Sequence, residues 1–264
     1  MTDTARPAPA RFDRPSPLAF ACYVAAVAFA IAAVQSAGLS MERLARGLPS
    51  LGRILDQMFP PNIERAVPIG LSLFETFQMA VAGTVLGVIA SVPIAILAAR
   101  GLSPHPAVYY AARGMVSFFR TVPDLIWALF LVIAVGLGPA AGTLAIMVDT
   151  IGFCGRFFAE AMEETDKGPR EALAALGGSR TGTIFSAVIP QAMPSFVNTA
   201  LFSLEKATRS SVVLGLVGAG GIGIELKVAM DLFTYDIACT IIIAVFVLVL
   251  AVEQVSGYLR ARII

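Results

Sequence analysis

Apolar runs of about twenty residues recur along this chain, and that repetition confines it to few folds. A bilayer's hydrocarbon core is roughly 30 Å thick and takes about 20 helical residues per crossing. Leu18 to Ala37, Val67 to Ala99, Met115 to Gly136, Ala140 to Phe158, Gln191 to Val217 and Tyr235 to Val255 meet or approach that length. None alternates polar with apolar residues, as a lipid-facing barrel strand must. With 57% hydrophobic and 14% charged residues, and a mean hydropathy of +0.81, the chain is no ordinary soluble domain. The expected fold is an all-α polytopic membrane protein with six transmembrane helices.

Residues 1–17 hold Pro7, Pro9, Pro15 and Pro17 among mixed charges and are expected to form a disordered cytosolic tail. Residues 18–66 carry the first span and an outer segment. The first span is too long for the apolar core of a signal peptide and reads as a permanent anchor. Leu44, Leu48, Leu51 and Leu55 then recur at helical spacing, predicting an amphipathic helix along the outer interface. Residues 67–264 form the core domain. Pro93 should kink its first span, and Gly83 and Gly87 let another backbone approach. Gly101 to Gly114 reads as a polar loop holding His105, the only histidine. Cys22, Cys154 and Cys239 sit in apolar runs without ligand spacing and read as small buried hydrophobes. A net charge of +1 implies no nucleic-acid surface.

Lys and Arg counts set the expected topology. Eleven fall on the side holding both termini, Arg100, Arg113 and the stretch around Lys167, against five on the side of Arg43 and Lys227. Both termini are therefore expected in the cytosol. Arg120, Lys206 and Arg209 fall within spans, with Asp124, Asp149 and Glu205 as acidic companions. Such charges each cost about 2.5–3.5 kcal/mol at a bilayer centre, so they pair or face water. Glu205 and Arg209 are spaced i,i+4, as are Arg120 and Asp124 across Pro123, which suggests two local ion pairs. The first pair lines an aqueous path or bridges the bundle, and the second is a gate or a pinned helix end. Val213 to Gly223 is rich in glycine; Gly218, Gly220 and Gly221 permit tight turns with free N–H groups that can cradle an anion, and a flexible outer gate or a re-entrant turn within Gly218 to Asp231 is the equal alternative.

The longest polar interruption of the core is Phe158 to Pro190. A helix from Pro169 to Leu176 is predicted inside it, with proline in the first turn and Gly177 and Gly178 as the stop. Ala172, Leu173 and Leu176 share one small apolar face there. Glu171-Ala172, Gly177 and then Ala187 to Pro190 have the spacing of the EAA loop of ABC-importer permeases, with Leu173, Ala187 and Ile189 as apolar replacements. Arg120 to Leu125, Gly136 to Pro139, Phe158 to Ala161, Lys167 to Glu171 and Val213 to Gly223 also resemble the phosphonate-type permeases. The resemblance runs from about Val67 to the end.

That resemblance implies a type I importer fold like that of methionine permeases, in a bacterial plasma (inner) membrane. It implies a homodimer, two cytosolic ATPase subunits that carry ATP and Mg, and an extracytoplasmic substrate-binding protein. The chain itself would bind no cofactor or metal and would not be an enzyme. Arg170, Glu171, Ala172, Leu173, Leu176 and Gly177 would couple to the ATPase. Arg120, Asp124, Glu205, Lys206, Arg209, Gly218, Gly220 and Gly221 are the candidates for a path or gate, and the cargo would be phosphonate or a related phosphorus oxyanion. The residues agree on one point: with no Gly-Lys dipeptide there is no P-loop, so the motor lies elsewhere. An ion-coupled secondary transporter of a small anion, using Asp124, Asp149 or Glu205, is the alternative. An intramembrane protease lacks its motifs: no H-E-x-x-H occurs, and Tyr235-Asp236 has no second partner.

Overall fold

A computed structural model describes residues 16–38 and 40–263. The expected tail therefore lies outside the described residues, apart from Ser16 and Pro17. The chain divides into two compact units at Asp56 and Gln57.

In the first unit, α1 (Pro17–Ser36) opens with proline at its first position, and the Ser16 hydroxyl accepts the Ala19 N–H at 3.3 Å. Pro17 thus belongs to the span. α2 (Met41–Met58) is strongly amphipathic, with Leu44, Leu48, Leu51 and Leu55 exposed along one stripe. Glu42 and Arg46 pair at 2.6 Å one turn apart.

In the second unit, α3 (Ala66–Ala98) has 33 residues. It is about 50 Å long and must tilt or project from a bilayer. Its central seam is with α6 (Pro139–Glu163). A Cβ on Gly83 would come within 2.7 Å of Ile146, and one on Gly87 within 2.5 Å of Thr150. The glycine step therefore brings α6 against α3 inside one chain.

The expected third span is not one straight helix. Residues assigned to the polar loop from Pro106 onward are helical: α4 (Pro106–Thr121) starts under a His105 cap, whose Nδ1 accepts the Ala107 N–H at 3.1 Å. α5 (Asp124–Val135) follows after a 92° bend. Pro123 lacks the N–H that would continue α4 and disfavours helical geometry at Val122. Among the described residues, five helices are long and apolar enough to cross a membrane, and the bent pair brings the number to as many as six.

Other boundaries also shift. α6 runs on to Glu163, so the first residues of the polar stretch extend a span. α7 (Lys167–Ala175) is capped by Asp166, which moves its start two residues ahead of Pro169. α8 (Arg180–Thr183), a π-helical turn (Ile184–Val188) and α9 (Ile189–Gly215) form one long element that begins well before Gln191. The glycine-rich segment is a turn only as far as Gly221, because α10 (Ile222–Asp231) occupies its second half. α11 (Tyr235–Ile263) extends past Val255 and carries Arg260 and Arg262 in its last turn.

Three clusters hold this unit together. Phe158, Met162, Val188 and Phe196 centre one, around the ends of α3, α6 and α9. Met79, Ile146 and Leu214 centre the second, and Ile69, Ile222 and Ile241 the third. Asn62 ties the start of α3 to α11: its side-chain amide donates to Asp236 at 3.0 Å, and its carbonyl accepts the Thr240 hydroxyl at 2.7 Å.

Candidate functional site

The short helix α7 is closed at both ends by its own sequence. The Asp166 carboxylate accepts the Gly168 N–H at 3.0 Å, using a group that a first turn leaves unbonded. At the other end Gly177 adopts φ +77°, its N–H donates to Ala174 O at 3.0 Å, and the Gly178 N–H donates to Leu173 O at 2.9 Å. This paired return needs a left-handed residue after the helix, a conformation that glycine takes at no steric cost. Leu173 is half-buried and Leu176 is 85% exposed. Ala172 and Glu171 are also exposed, and Arg170 is half-buried. A small apolar face thus stands free on a helix whose termini need no partner.

Polar contacts mount this helix on the bundle end. Glu163, the last residue of α6, accepts from Arg113 at 2.6 Å and from the Arg100 N–H at 2.6 Å. Arg113 also donates to Ala98 O at 2.9 Å. Arg180 donates to Gly101 O at 3.3 Å and to Ser103 O, and Gln191 accepts the Asp166 N–H at 3.2 Å. The α3–α4 loop, α6 and α8 are joined here through charge-assisted bonds, the stronger class, and a neutral bond adds α9. Arg113 and Glu163 had no assigned role in the sequence. Fifty residues separate them, and no local spacing signals such a pair.

The intramembrane charges pair differently from expectation. Glu205 does not bond Arg209, one turn on; it accepts from Arg260 of α11 at 2.5 Å. Glu205 is 8% exposed, on the α9 face turned to α11. Lys206, one position on, points to α6 and donates to both oxygens of Asp149 at 2.8 Å. Arg209 is exposed and makes no ion pair among the described residues. One helix therefore spends two adjacent charges on opposite neighbours and leaves a third cation open.

Arg120 and Asp124 do not pair either, because the 92° bend separates their helices' directions. The Arg120 guanidinium sits 5.9 Å from the centre of the Phe157 ring. Asp124 accepts the Leu125 N–H at 2.9 Å within the first turn of α5, where its charge complements the helix dipole.

The glycine loop is likewise not a set of free donors. The Gly221 N–H donates to the Glu75 carboxylate at 3.0 Å, and the Ile222 N–H donates to the Thr76 hydroxyl at 2.7 Å. Gly138 N–H donates to Gly218 O at 3.0 Å. Gly221 has φ +72°, and a Cβ there would lie 2.4 Å from the Thr76 hydroxyl, so both backbone and space demand glycine. Gly218 and Gly220 flank it in the same turn at φ +88° and +92°. The anion that this loop holds is the protein's own Glu75. A signal for it existed: Glu75 is the sole charged residue of α3, and an isolated ionisable group in a span has a partner by default.

Comparison with known proteins accounts for the arrangement. Residues 91–264 match the family described as binding-protein-dependent transport system inner membrane component. The chain is 43% identical over 220 residues to the Phosphate-import permease protein PhnE of Mycolicibacterium smegmatis, spanning 82% of this chain but 41% of that protein. It is 37% identical to the Phosphite transport system permease protein PtxC of Stutzerimonas stutzeri, covering 84% of this chain and 81% of that one. An inward-facing structure of the MetNI methionine ABC transporter superposes with a TM-score of 0.65 at 22% identity, covering 74% of this chain and 96% of that one. The fold is thus that of the expected methionine-permease class. The chain belongs to the family of binding-protein-dependent transport system inner membrane components, and is a multi-pass ABC-importer permease rather than an ATP-hydrolysing subunit.

Proposed function

We propose that the chain forms, with a second copy of itself, the translocation path of an ATP-driven importer for phosphonate or a related small phosphorus oxyanion. Two cytosolic ATPase subunits carry the ATP and Mg, and an extracytoplasmic binding protein delivers the cargo. The α7 end and both termini face the cytosol. The observation that carries this reading is the doubly capped α7, offering exposed Leu176 from a charge-stapled mount. A helix of this kind transmits force well, because its ends hold their shape without the partner. Relatives named for phosphate import and phosphite transport support the cargo class. Of Asp124, Asp149 and Glu205, the acids that an ion-coupled carrier would use, the last two are each engaged by a basic partner, which favours the ATP-driven reading.

Two outcomes follow. Glu171→Ala and Gly177→Val chains should insert and fold, yet transport should fall by about tenfold or more while ATP hydrolysis continues. Loss of a buried apolar or charged interface contact of about 1.4 kcal/mol or more gives that factor. Proteoliposomes holding the ATPase and binding protein, with normal uptake by both variants, would reject the docking role. Separately, Arg209→Ala should slow anion uptake by about threefold to tenfold without lowering thermal stability, because the side chain has no ion pair to lose. Unchanged uptake by the assembled variant would remove Arg209 from the path.

A further inference from the structure

A cleft of about 680 Å³ opens beside α7, walled by the α3–α4 loop, the end of α6, α7 and the start of α8. Arg100, Lys167, Arg170 and Arg180 line it, with Glu163 and Glu171 as the acids. These charges do not cancel. Glu163 is already bonded to Arg113, which is not among the lining side chains. Arg180 donates to the carbonyls of Gly101 and Ser103, which leaves its positive charge uncompensated. Arg100, Lys167 and Arg170 make no ion pair among the described residues. The Arg170 guanidinium reaches toward the opposite wall, 3.7 Å from the position a Cβ on Gly101 would take. Cations from two walls therefore converge on one concavity, and the bonds that mount α7 hold the Arg180 guanidinium there.

We infer that this cleft binds a phosphate-bearing anion. Guanidinium groups present paired donors that match phosphate oxygens, and an ammonium adds a point charge. Arg100 lies two residues past the end of α3, an apolar span of 33 residues, so a phospholipid headgroup is one source of such an anion. Basic pockets at span ends are built to take such headgroups. The same donors accept a free phosphate, so two sources share one chemistry. The inference holds whether or not an ATPase docks on α7.

The test uses the full chain purified in detergent, with two arms. In one, native mass spectrometry follows retention of phosphatidic acid against phosphatidylcholine; in the other, calorimetry follows inorganic phosphate. The double variant Arg100→Gln/Lys167→Gln changes two exposed side chains and leaves the Arg100 N–H bond to Glu163 in place. It should weaken binding by about tenfold or more, the loss expected for charged hydrogen bonds. Arg170→Gln, on α7 about one turn from Lys167, should weaken the same arm. Lys227→Gln, on α10, should change neither. Weakening in the lipid arm assigns a headgroup, and weakening in the calorimetric arm assigns a soluble anion. Absence of binding in both arms, or binding that the cleft variants leave unchanged, overturns the inference.

Discussion

Gly83→Leu and Gly87→Leu should each destabilise the core unit by about 1–3 kcal/mol, and together they should prevent it from accumulating in folded form. The cause is distance. At Gly83 a Cβ would lie 2.7 Å from Ile146 and 2.8 Å from the Thr143 carbonyl; at Gly87 it would lie 2.5 Å from Thr150 and 2.9 Å from the Met147 carbonyl. In each case one obstacle is backbone, which no side-chain rotation can clear. Relief requires α3 and α6 to separate, and that opens the cluster around Met79 and Ile146. Close approach is also how helices gain attraction in lipid, where burial of apolar surface supplies no drive. Gly70→Leu on the same helix is the control, since nothing lies within 4 Å of its Cβ position. Thermal unfolding in detergent would measure all three. Equal midpoints for Gly87→Leu and Gly70→Leu would show that the α3–α6 seam is not closely fitted.

Arg260→Met should cost about 3–5 kcal/mol, the usual penalty for stripping a buried carboxylate of its partner. Glu205 is 8% exposed, and Arg260 supplies its ion-pair contact at 2.5 Å. The Arg209 cation, one turn along α9, makes no ion pair with it. The double variant Glu205→Met/Arg260→Met should recover most of the loss, because two apolar side chains of similar length leave no charge to desolvate. A complete cycle of unfolding measurements on the two singles and the double gives the coupling directly. A coupling near zero would mean that the pair is solvated and that the end of α11 is not anchored to α9. Truncation after Val255 should mimic the single Arg260 variant for the same reason.

Much of the architecture was legible in advance, and for local reasons. The spans could be read because hydropathy accumulates along the chain, and a window of about twenty residues needs no knowledge of neighbours. α7 could be read because its stop, Gly177 and Gly178, lies within bonding distance of its own last turn. Its start was misjudged by two residues because Pro169 drew the boundary that the Asp166 side chain in fact sets. The bend after α4 was half-legible: Pro123 marked a break, but a kinked span and a 92° turn look alike in one dimension. The π-helical turn Ile184–Val188 and the helical second half of the glycine segment left no signal of that kind.

The charges divide along the same line. That Arg120, Asp124, Asp149, Glu205, Lys206 and Arg209 required partners or water followed from the sequence alone, since ionised groups cannot be left bare in hydrocarbon. Which partners they took did not. Spacing i,i+4 nominated Glu205 with Arg209 and Arg120 with Asp124, yet a helix pair worth a few tenths of a kcal/mol yields to a contact that also joins two helices. Asp149 lies 57 residues from Lys206 and Arg260 lies 55 from Glu205, and only the meeting of α6, α9 and α11 brings them into reach. By itself the sequence determined that this chain crosses a membrane several times, contains no P-loop and carries a short capped helix in its polar stretch, because those properties reside in runs and turns of consecutive residues. The tertiary structure alone decided what each buried charge binds and where the glycine N–H groups go, because those bonds depend on helix neighbours that no stretch of chain encodes locally.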